Sequence, residues 1–463
     1  DSLSMKQKYP NDEVIAPGTV IISAAGNCTD IRKVVEPVLQ RNGGNIYYLN
    51  LSQDSFKLGG SSFAQILNKV GTDVPSITDA TYFKTAFNTL QDAIKNRQIK
   101  AGHDVGSGGL ITTLLELSFA QVDLGATYDL SVLGEADTVK TLFNENIAVV
   151  FQADAAIEAL FAAQNIEIFK IGTVTEGDLV TIKNNADTFT FNVNETRDTW
   201  FKTSYLLDAK QSRNGMAEAR YANYKNQPLD YQFPAHFTGK AAVISSAVER
   251  PKAAIIREKG SNSEREMANA MYLAGFDVKD VHMTDLISGR ETLEDIQFIG
   301  AVGGFSNSDV LGSAKGWAGA FKYNEKANIA LKKFFEREDT LSVGICNGCQ
   351  LFMELELINP EHEVHGKMHH NDSQKHESGF TSVTIQENHS VMLNTLAGTT
   401  LGVWISHGEG KFKLPYEESK YNIVAKYAYE GYPANPNGSD YNTAMMCDKT
   451  GRHLVMMPHI ERS

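Results

Sequence analysis

Two cysteines, Cys346 and Cys349, stand in a C-x-x-C spacing within "LSVGICNGCQLFMEL", Leu341 to Leu355. Three chemistries use such a spacing. A zinc site needs about four ligands, usually a second C-x-x-C or a His pair. The other two cysteines, Cys28 and Cys447, are isolated from each other. A thioredoxin-like pair calls for a small βαβ domain with a nearby cis-proline, and no stretch of the sequence marks one. In the third reading only Cys346 reacts. It follows an apolar strand, "LSVGI", precedes a helix, "QLFMELEL", and is flanked by Gly344 and Gly348. G-x-C-x-G is the cysteine form of the nucleophile elbow, a sharp strand-to-helix turn that exposes its central residue. The helix N-terminus favours the thiolate, and the Asn347 N–H can face a developing oxyanion. A buried, inert cysteine fits the same local residues equally well.

A nucleophile needs a base and an orienter. The segment "MMPHIERS" offers His459 and Glu461. In an extended segment i and i+2 share a face, and Pro458 biases Met457 towards extended geometry. Taken alone, this pair also reads as a loop histidine beside a solvated glutamate. Two other stretches carry chemistry-bearing residues. "AGHDVGSGGL" places Asp104 and Gly106 before a helix start. Backbone N–H groups at such a turn can hold phosphate, and a carboxylate can ligate Mg²⁺; a plain helix entry is the other reading. "EHEVHGKMHHNDSQKHE" holds His362, His365, His369, His370 and His376. Imidazoles suit Zn, Ni and Cu, whereas a solvated loop would leave them unconverged.

The elements that must position these residues alternate between strand and helix, which predicts an α/β fold. "GTVIISAAG", "NIYYLNLS", "ENIAVVFQA" and "DTFTFNV" read as strands, and "SSFAQILNKV" and "ITDATYFKTAFNTLQDAIKNRQ" as amphipathic helices. Residues 208–250, with Pro228 and Pro234 among polar residues, read as a linker with some helix. A second rhythm starts near Lys252. It includes one long helix over "SAKGWAGAFKYNEKANIALKKFFERE" and has the order of an open, doubly wound sheet. The 463 residues suggest two to four domains. The formal net charge of −13 argues against nucleic acid and anionic membrane partners. No apolar run approaches the ~20 residues of a membrane span. Four cysteines make no disulfide scaffold, so a reducing cytoplasm is expected. The opening "DSLSMKQKYP" and the ending "MMPHIERS" both read as cut from a longer polypeptide.

Together, "VGGFSNSDVLG", "GICNGCQ", "SHGEG", "YPANPNGS" and "MMPHIER" resemble the glutaminase domain of the formylglycinamide ribonucleotide amidotransferase family. "DSLSMK", "LGGSSFAQ", "HDVGSGGL" and "LFNEN" resemble the second half of that family's synthetase part, related to aminoimidazole ribonucleotide synthetase. The resemblance implies a flavodoxin-like class I glutaminase domain at 251–463. Before it come the 208–250 linker and an α+β synthetase half at 1–207. It implies an ATP-dependent C–N ligase of purine biosynthesis with glutamine as amido donor and formylglycinamide ribonucleotide as acceptor. The missing N-terminal synthetase part would complete it, with ATP/ADP and Mg²⁺ as cofactors. Carried over residue by residue, Cys346 is the nucleophile, His459 the base and Glu461 the orienter. Gly304, Phe305, Asn347, Gln350 and His407 belong to the oxyanion loop and glutamine pocket, with the Phe305 and Asn347 N–H groups as oxyanion donors. Asp104 is the magnesium ligand, beside Gly106 at the nucleotide turn. One departure stands out: the family reads H-D-x-S-D-G-G-L, and here Gly106 and Ser107 replace Ser-Asp. The alternatives are a glutaminase joined to another synthetase, or a catalytically silent nucleotide-binding fragment.

Overall fold

The computed structural model describes residues 2–3, 6–15, 19–240, 249–429 and 431–462. The chain forms two compact units, residues 1–200 and 201–463.

The first unit is built on a six-stranded sheet. Its strands are β1 (Asn45–Asn50), β2 (Ile99–Asp104), β3 (Leu124–Asp129), β4 (Ala148–Ala153), β5 (Phe169–Asn184) and β6 (Asp187–Asn192). The order is β6-β5-β1-β4-β2, all antiparallel, with β3 running parallel to β5. Successive side chains of a strand point to opposite faces. In β1, Ile46 and Tyr48 therefore enter one core and Tyr47 and Leu49 another. A helix closes each core. Helix α1 (Ala80–Lys95) buries Ala86, Leu90 and Ala93 against the second. Helix α2 (Gly109–Phe119) buries Leu110, Leu114 and Leu117 against the first. Both sets follow the i, i+4, i+7 stripe of an amphipathic helix.

Helix α3 (Val193–Gln211) runs across the boundary between the units in sequence, and α4 (Met216–Asn223) follows. The second unit has a nine-stranded sheet. Its strands are β7 (Lys252–Arg257), β8 (Asp277–His282), β9 (Phe298–Ala301), β10 (Leu341–Ile345), β11 (Glu377–Ile385), β12 (Thr400–His407), β13 (Asn422–Tyr427), β14 (Thr443–Cys447) and β15 (His453–Met456). The order is β8-β7-β9-β10-β15-β14-β13-β11-β12. The first five strands are parallel, and the remaining pairings are antiparallel. The inner parallel strands β7, β9, β10 and β15 are largely buried because helices cover both faces, whereas the edge strand β8 (DVKDVH) is mostly exposed. Those helices are α5 (Glu264–Leu273), α6 (Lys315–Lys322), α7 (Glu325–Glu336) and α8 (Asn347–Glu354).

Several expected elements differ. The strand expected over 18–26 reduces to Thr19–Val20, paired with Ser2–Leu3. Ile22 beyond it is exposed, so this apolar run faces no core. The helix expected over 61–70 stops at Ile66, and Leu67 and Val70 are exposed. The long helix expected over 313–338 is two, α6 and α7. The Asn324 side chain accepts the Ala327 N–H at 3.0 Å and caps the second. The break lets each helix aim its own stripe inward, Trp317 and Phe321 from α6 and Ala327, Leu331 and Phe334 from α7. The segment read as a linker begins inside α3 and contains α4; its residues 241–248 lie outside those described.

Asn324→Ala removes that cap and should cost about 1 kcal/mol. The expected outcome is a urea unfolding transition of the second unit at lower denaturant with an unchanged slope.

Candidate active site

Neighbouring parallel strands β9, β10 and β15 end side by side. Ligands of open α/β sheets bind at this carboxyl edge. Strand β9 runs into the loop at 302–309, β10 into Cys346, and β15 through Met457 and Pro458 into His459.

Cys346 is the N-cap of α8, with φ 51° and ψ −105°. A non-glycine residue holds such angles only when its surroundings over-determine them. Here its N–H donates to the Met456 carbonyl at 2.9 Å, and its carbonyl accepts from the Gln350 N–H at 3.0 Å. Gly348 lets α8 close onto β9, since a Cβ there would lie 2.0 Å from the Ala301 carbonyl oxygen. The G-x-C-x-G frame is thus a steric requirement of the turn. Cys349, one helical turn on, is fully buried, and burial holds its thiol well above the usual range.

His459 Nδ1 lies 2.6 Å from Glu461 Oε1, and Cys346 is the other group that raises the pKa of this imidazole. The sequence suggested an extended segment. Instead, residues Ile460–Arg462 form a 3-10 turn that folds Glu461 back onto His459. The His459 N–H donates to the Trp404 carbonyl at 2.8 Å, which fixes the turn to β12. Burial alone would lower the imidazole pKa, but the bonds from Cys346 and Glu461 outweigh it and raise the value to about 9. Burial alone would raise the Glu461 carboxyl, and the bond to His459 outweighs it and holds the carboxyl below its usual value. A value raised to about 9 favours the imidazolium form of His459 at neutral pH.

The loop after β9 is tightly held. Gly304 sits at φ +111°, open to glycine and little else. Asn307, Ser308 and Asp309 follow with φ 52°, 57° and 47°. Asn347 ties this loop to α8: its Oδ1 accepts the Ser306 N–H at 3.2 Å while its Nδ2 donates to Gln350 Oε1 at 2.8 Å. Gln350 Nε2 in turn donates to the Glu409 carbonyl at 2.8 Å. One expected oxyanion donor is already engaged. The Phe305 N–H donates to the Gly260 carbonyl at 2.9 Å, a bridge to a distant loop that no local motif announces. The Asn347 N–H, first in its helix, has no intrahelical acceptor by position and keeps its candidacy. Gly303 was not singled out from the sequence. A Cβ there would lie 2.8 Å from His459 Cε1 and 3.4 Å from the Cys346 Cβ, so only glycine fits over the Cys–His pair.

A cavity of about 280 Å³ opens beside Cys346, lined by Phe305, Gln350, His376, His407 and Glu409 among others. That is near the small end of ligand sites. His407 is buried in its wall, and burial pulls its pKa down to about 3, so the ring is neutral.

The residues of the first unit converge less. The Asp104 side chain ends β2 at 82% exposure, with His103 Nδ1 3.4 Å away. A Cβ on Gly106 would lie 3.8 Å from Asp104 Oδ2. The turn that follows already holds a carboxylate of its own. Glu145 Oε1 accepts the Gly108 N–H at 2.9 Å and the Ser62 N–H at 2.8 Å. One exposed acid beside an occupied turn does not by itself fit a magnesium or nucleotide phosphate site. The histidines of the 362–376 stretch take separate partners. His362 packs edge-on against Tyr416 and Tyr421, His365 approaches Glu356 at 3.3 Å, His370 Glu409 at 3.5 Å, and His376 Ser406 Oγ at 3.1 Å. Among the described residues no three His, Cys, Asp or Glu side chains gather as a metal site.

Residues 250–463 match the model of the CobB/CobQ-like glutamine amidotransferase domain. Residues 41–184 match that of the AIR synthase related protein, C-terminal domain. The chain is thus similar to a glutamine amidotransferase domain over its second part and to an AIR synthase-related domain over its first. Over its whole length it is 38% identical to a probable phosphoribosylformylglycinamidine synthase, chloroplastic/mitochondrial, of Arabidopsis thaliana. It is 35% identical, again over its whole length, to the phosphoribosylformylglycinamidine synthase of Homo sapiens. It spans 34% and 37% of those two sequences, about a third of each. The PurLQS structure from Thermotoga maritima matches 46% of this chain and 89% of its own, at 27% identity and a TM-score of 0.39. No helix among the described residues is long and apolar enough to cross a membrane.

The His459 pKa gives a test of the site's electrostatics. It is raised from 6.5 to about 9, so the charge on His459 stabilises the fold fully below pH 6.5 and that stabilisation is lost as pH rises through about 9. Glu461→Gln removes one of the two raising partners. In an NMR titration the His459 ring should then titrate below its wild-type value, and an unchanged value contradicts the assignment.

Proposed function

We propose that the second unit hydrolyses glutamine at Cys346 and that the ammonia serves an ATP-dependent amidation. The Cys346 thiolate attacks the side-chain amide carbon of glutamine. The oxyanion of the tetrahedral intermediate faces the Asn347 N–H, a donor of a kind whose loss typically costs ~2.7–4 kcal/mol in the transition state. The His459 imidazolium gives its proton to the leaving nitrogen, and ammonia departs. This leaves a γ-glutamyl thioester on Cys346 and a neutral imidazole. His459 then takes a proton from water, the hydroxide attacks the thioester, and glutamate leaves with the thiolate restored. Glu461 holds Nδ1, which keeps Nε2 aimed at the sulfur. The observation that carries this reading is the buried His459 imidazole, held by Glu461 at 2.6 Å, packed with Cys346 under Gly303.

For the acceptor half we propose formylglycinamide ribonucleotide, converted to its amidine, in purine biosynthesis. The full-length resemblance to phosphoribosylformylglycinamidine synthases supports this. Such a synthase would use ATP with Mg²⁺. Asp104, Gly106 and their neighbours do not form that site unaided, so this reading calls for the further synthetase part that the relatives' extra length represents. The four cysteines are free, which suits a reducing compartment, and we place the reaction in the cytoplasm.

Cys346→Ala in the purified enzyme should abolish glutamine-dependent synthesis and leave ammonia-dependent synthesis within about threefold of wild type, since it removes one half-reaction only. Loss of both activities together would contradict the division of labour.

A further inference from the structure

The segment before the amidotransferase domain grips one wall of the Cys346 cavity. Gln374, Lys375 and His376 line that cavity, and the next residue, Glu377, begins β11 and pairs in register with His407 of β12. Behind this wall lies an ion network from α3 and α4. Arg220 Nη2 donates to Glu377 Oε2 at 2.5 Å, and Arg220 Nε to Asp208 Oδ2 at 3.1 Å. Asp208 Oδ1 accepts from Lys375 Nζ and, at 2.6 Å, from Ser212 Oγ. The Tyr432 hydroxyl donates to Glu377 Oε1 at 2.7 Å, and the Arg220 guanidinium lies 4.7 Å over the Tyr432 ring. Two backbone attachments run in parallel: the Arg213 N–H donates to the Ser373 carbonyl at 2.9 Å and Asn214 Nδ2 to the Asp372 carbonyl at 2.7 Å.

The Glu377 side chain is 4% exposed and that of Asp208 10%. Charges buried this deeply cost several kcal/mol each unless paired, and their geometry is correspondingly exact in demand. An ion network is a weak source of net stability but a strong source of fixed position. Three of its anchors, Lys375, Glu377 and the Ser373 carbonyl, belong to a stretch whose other side faces Cys346. His376, held between Lys375 and Glu377, reaches across to Ser406 Oγ at 3.1 Å. The Ser406 carbonyl lies 3.8 Å from the Cys346 sulfur.

We propose that Arg220 and Asp208 are positioning residues for glutamine: through Glu377 and Lys375 they hold the Gln374–Glu377 wall at the spacing the substrate requires. This rests on the glutaminase reading above. A wall that sags loosens ground-state binding while Cys346, His459 and Glu461 stay in place, so KM for glutamine should carry the effect and kcat should not.

The test is steady-state glutamine hydrolysis by the purified enzyme with Arg220→Met, Arg220→Lys and Tyr432→Phe, with the rate of Cys346 alkylation by iodoacetamide measured beside it. Iodoacetamide makes no use of the wall. Arg220→Met should raise KM about tenfold with kcat and the alkylation rate within about threefold of wild type. Arg220→Lys, which keeps the charge but not the fork, should fall between. Should Arg220→Met fail to fold, Tyr432→Phe removes one bond to Glu377 at constant shape and should raise KM in the same direction. An unchanged KM in the folded variants overturns the proposal, as does a kcat loss that matches slowed alkylation. A wild-type enzyme that hydrolyses no glutamine overturns the glutaminase reading instead, and this one with it.

Discussion

The backbone of Cys346, at φ 51° and ψ −105°, cannot hold itself there. It is set by neighbours on three sides: the Met456 carbonyl of β15, the start of α8 on its own C-terminal flank, and β9 beneath Gly348. Because β9, β10 and β15 are adjacent parallel strands, the constraint that strains Cys346 also brings its partners to it. Cys346, His459 and the loop over both leave the sheet at one edge. Moving any of the three strands by a residue would reverse the faces of its side chains and separate the sulfur from the imidazole.

The charge arrangement follows from that placement. A buried imidazole alone would be neutral, as His407 is, its pKa pulled down to about 3 by burial. His459 differs because its Nδ1 meets Glu461 and because Cys346 also raises its pKa. Two buried histidines of one domain are thus shifted in opposite directions, His459 up and His407 down, and the difference lies in their partners. Such a divergence suits the proposed roles, in which His459 delivers protons and His407 shapes the cavity.

Much of this was legible in the sequence where the physics is local. The elbow around Cys346 reads from five residues because two glycines and a strand-to-helix change are steric facts about adjacent positions. The His459–Glu461 pair was found through its spacing, although a 3-10 turn, not an extended segment, brings the two together. Failures came where a partner lies far along the chain. Phe305 was assigned a free N–H, and Gly260 takes it. Gly303 passed unnoticed because its meaning depends on His459, 156 positions on. The segment read as a linker hides a network whose partners are 157 and 212 residues apart, Arg220 with Glu377 and with Tyr432. The break between α6 and α7 was within reach, since Asn324 followed by Glu325 is an ordinary cap signal.

One sulfur, that of Cys346, is proposed to act as the nucleophile towards a glutamine-shaped ligand. The direct measurement is to treat the enzyme with a glutamine-analogue diazoketone, digest it, and locate the adduct by mass spectrometry. The expected result is a single adduct on Cys346, suppressed by excess glutamine. An adduct on Cys349, Cys28 or Cys447 in its place, or labelling of Cys346 that glutamine does not slow, would contradict it.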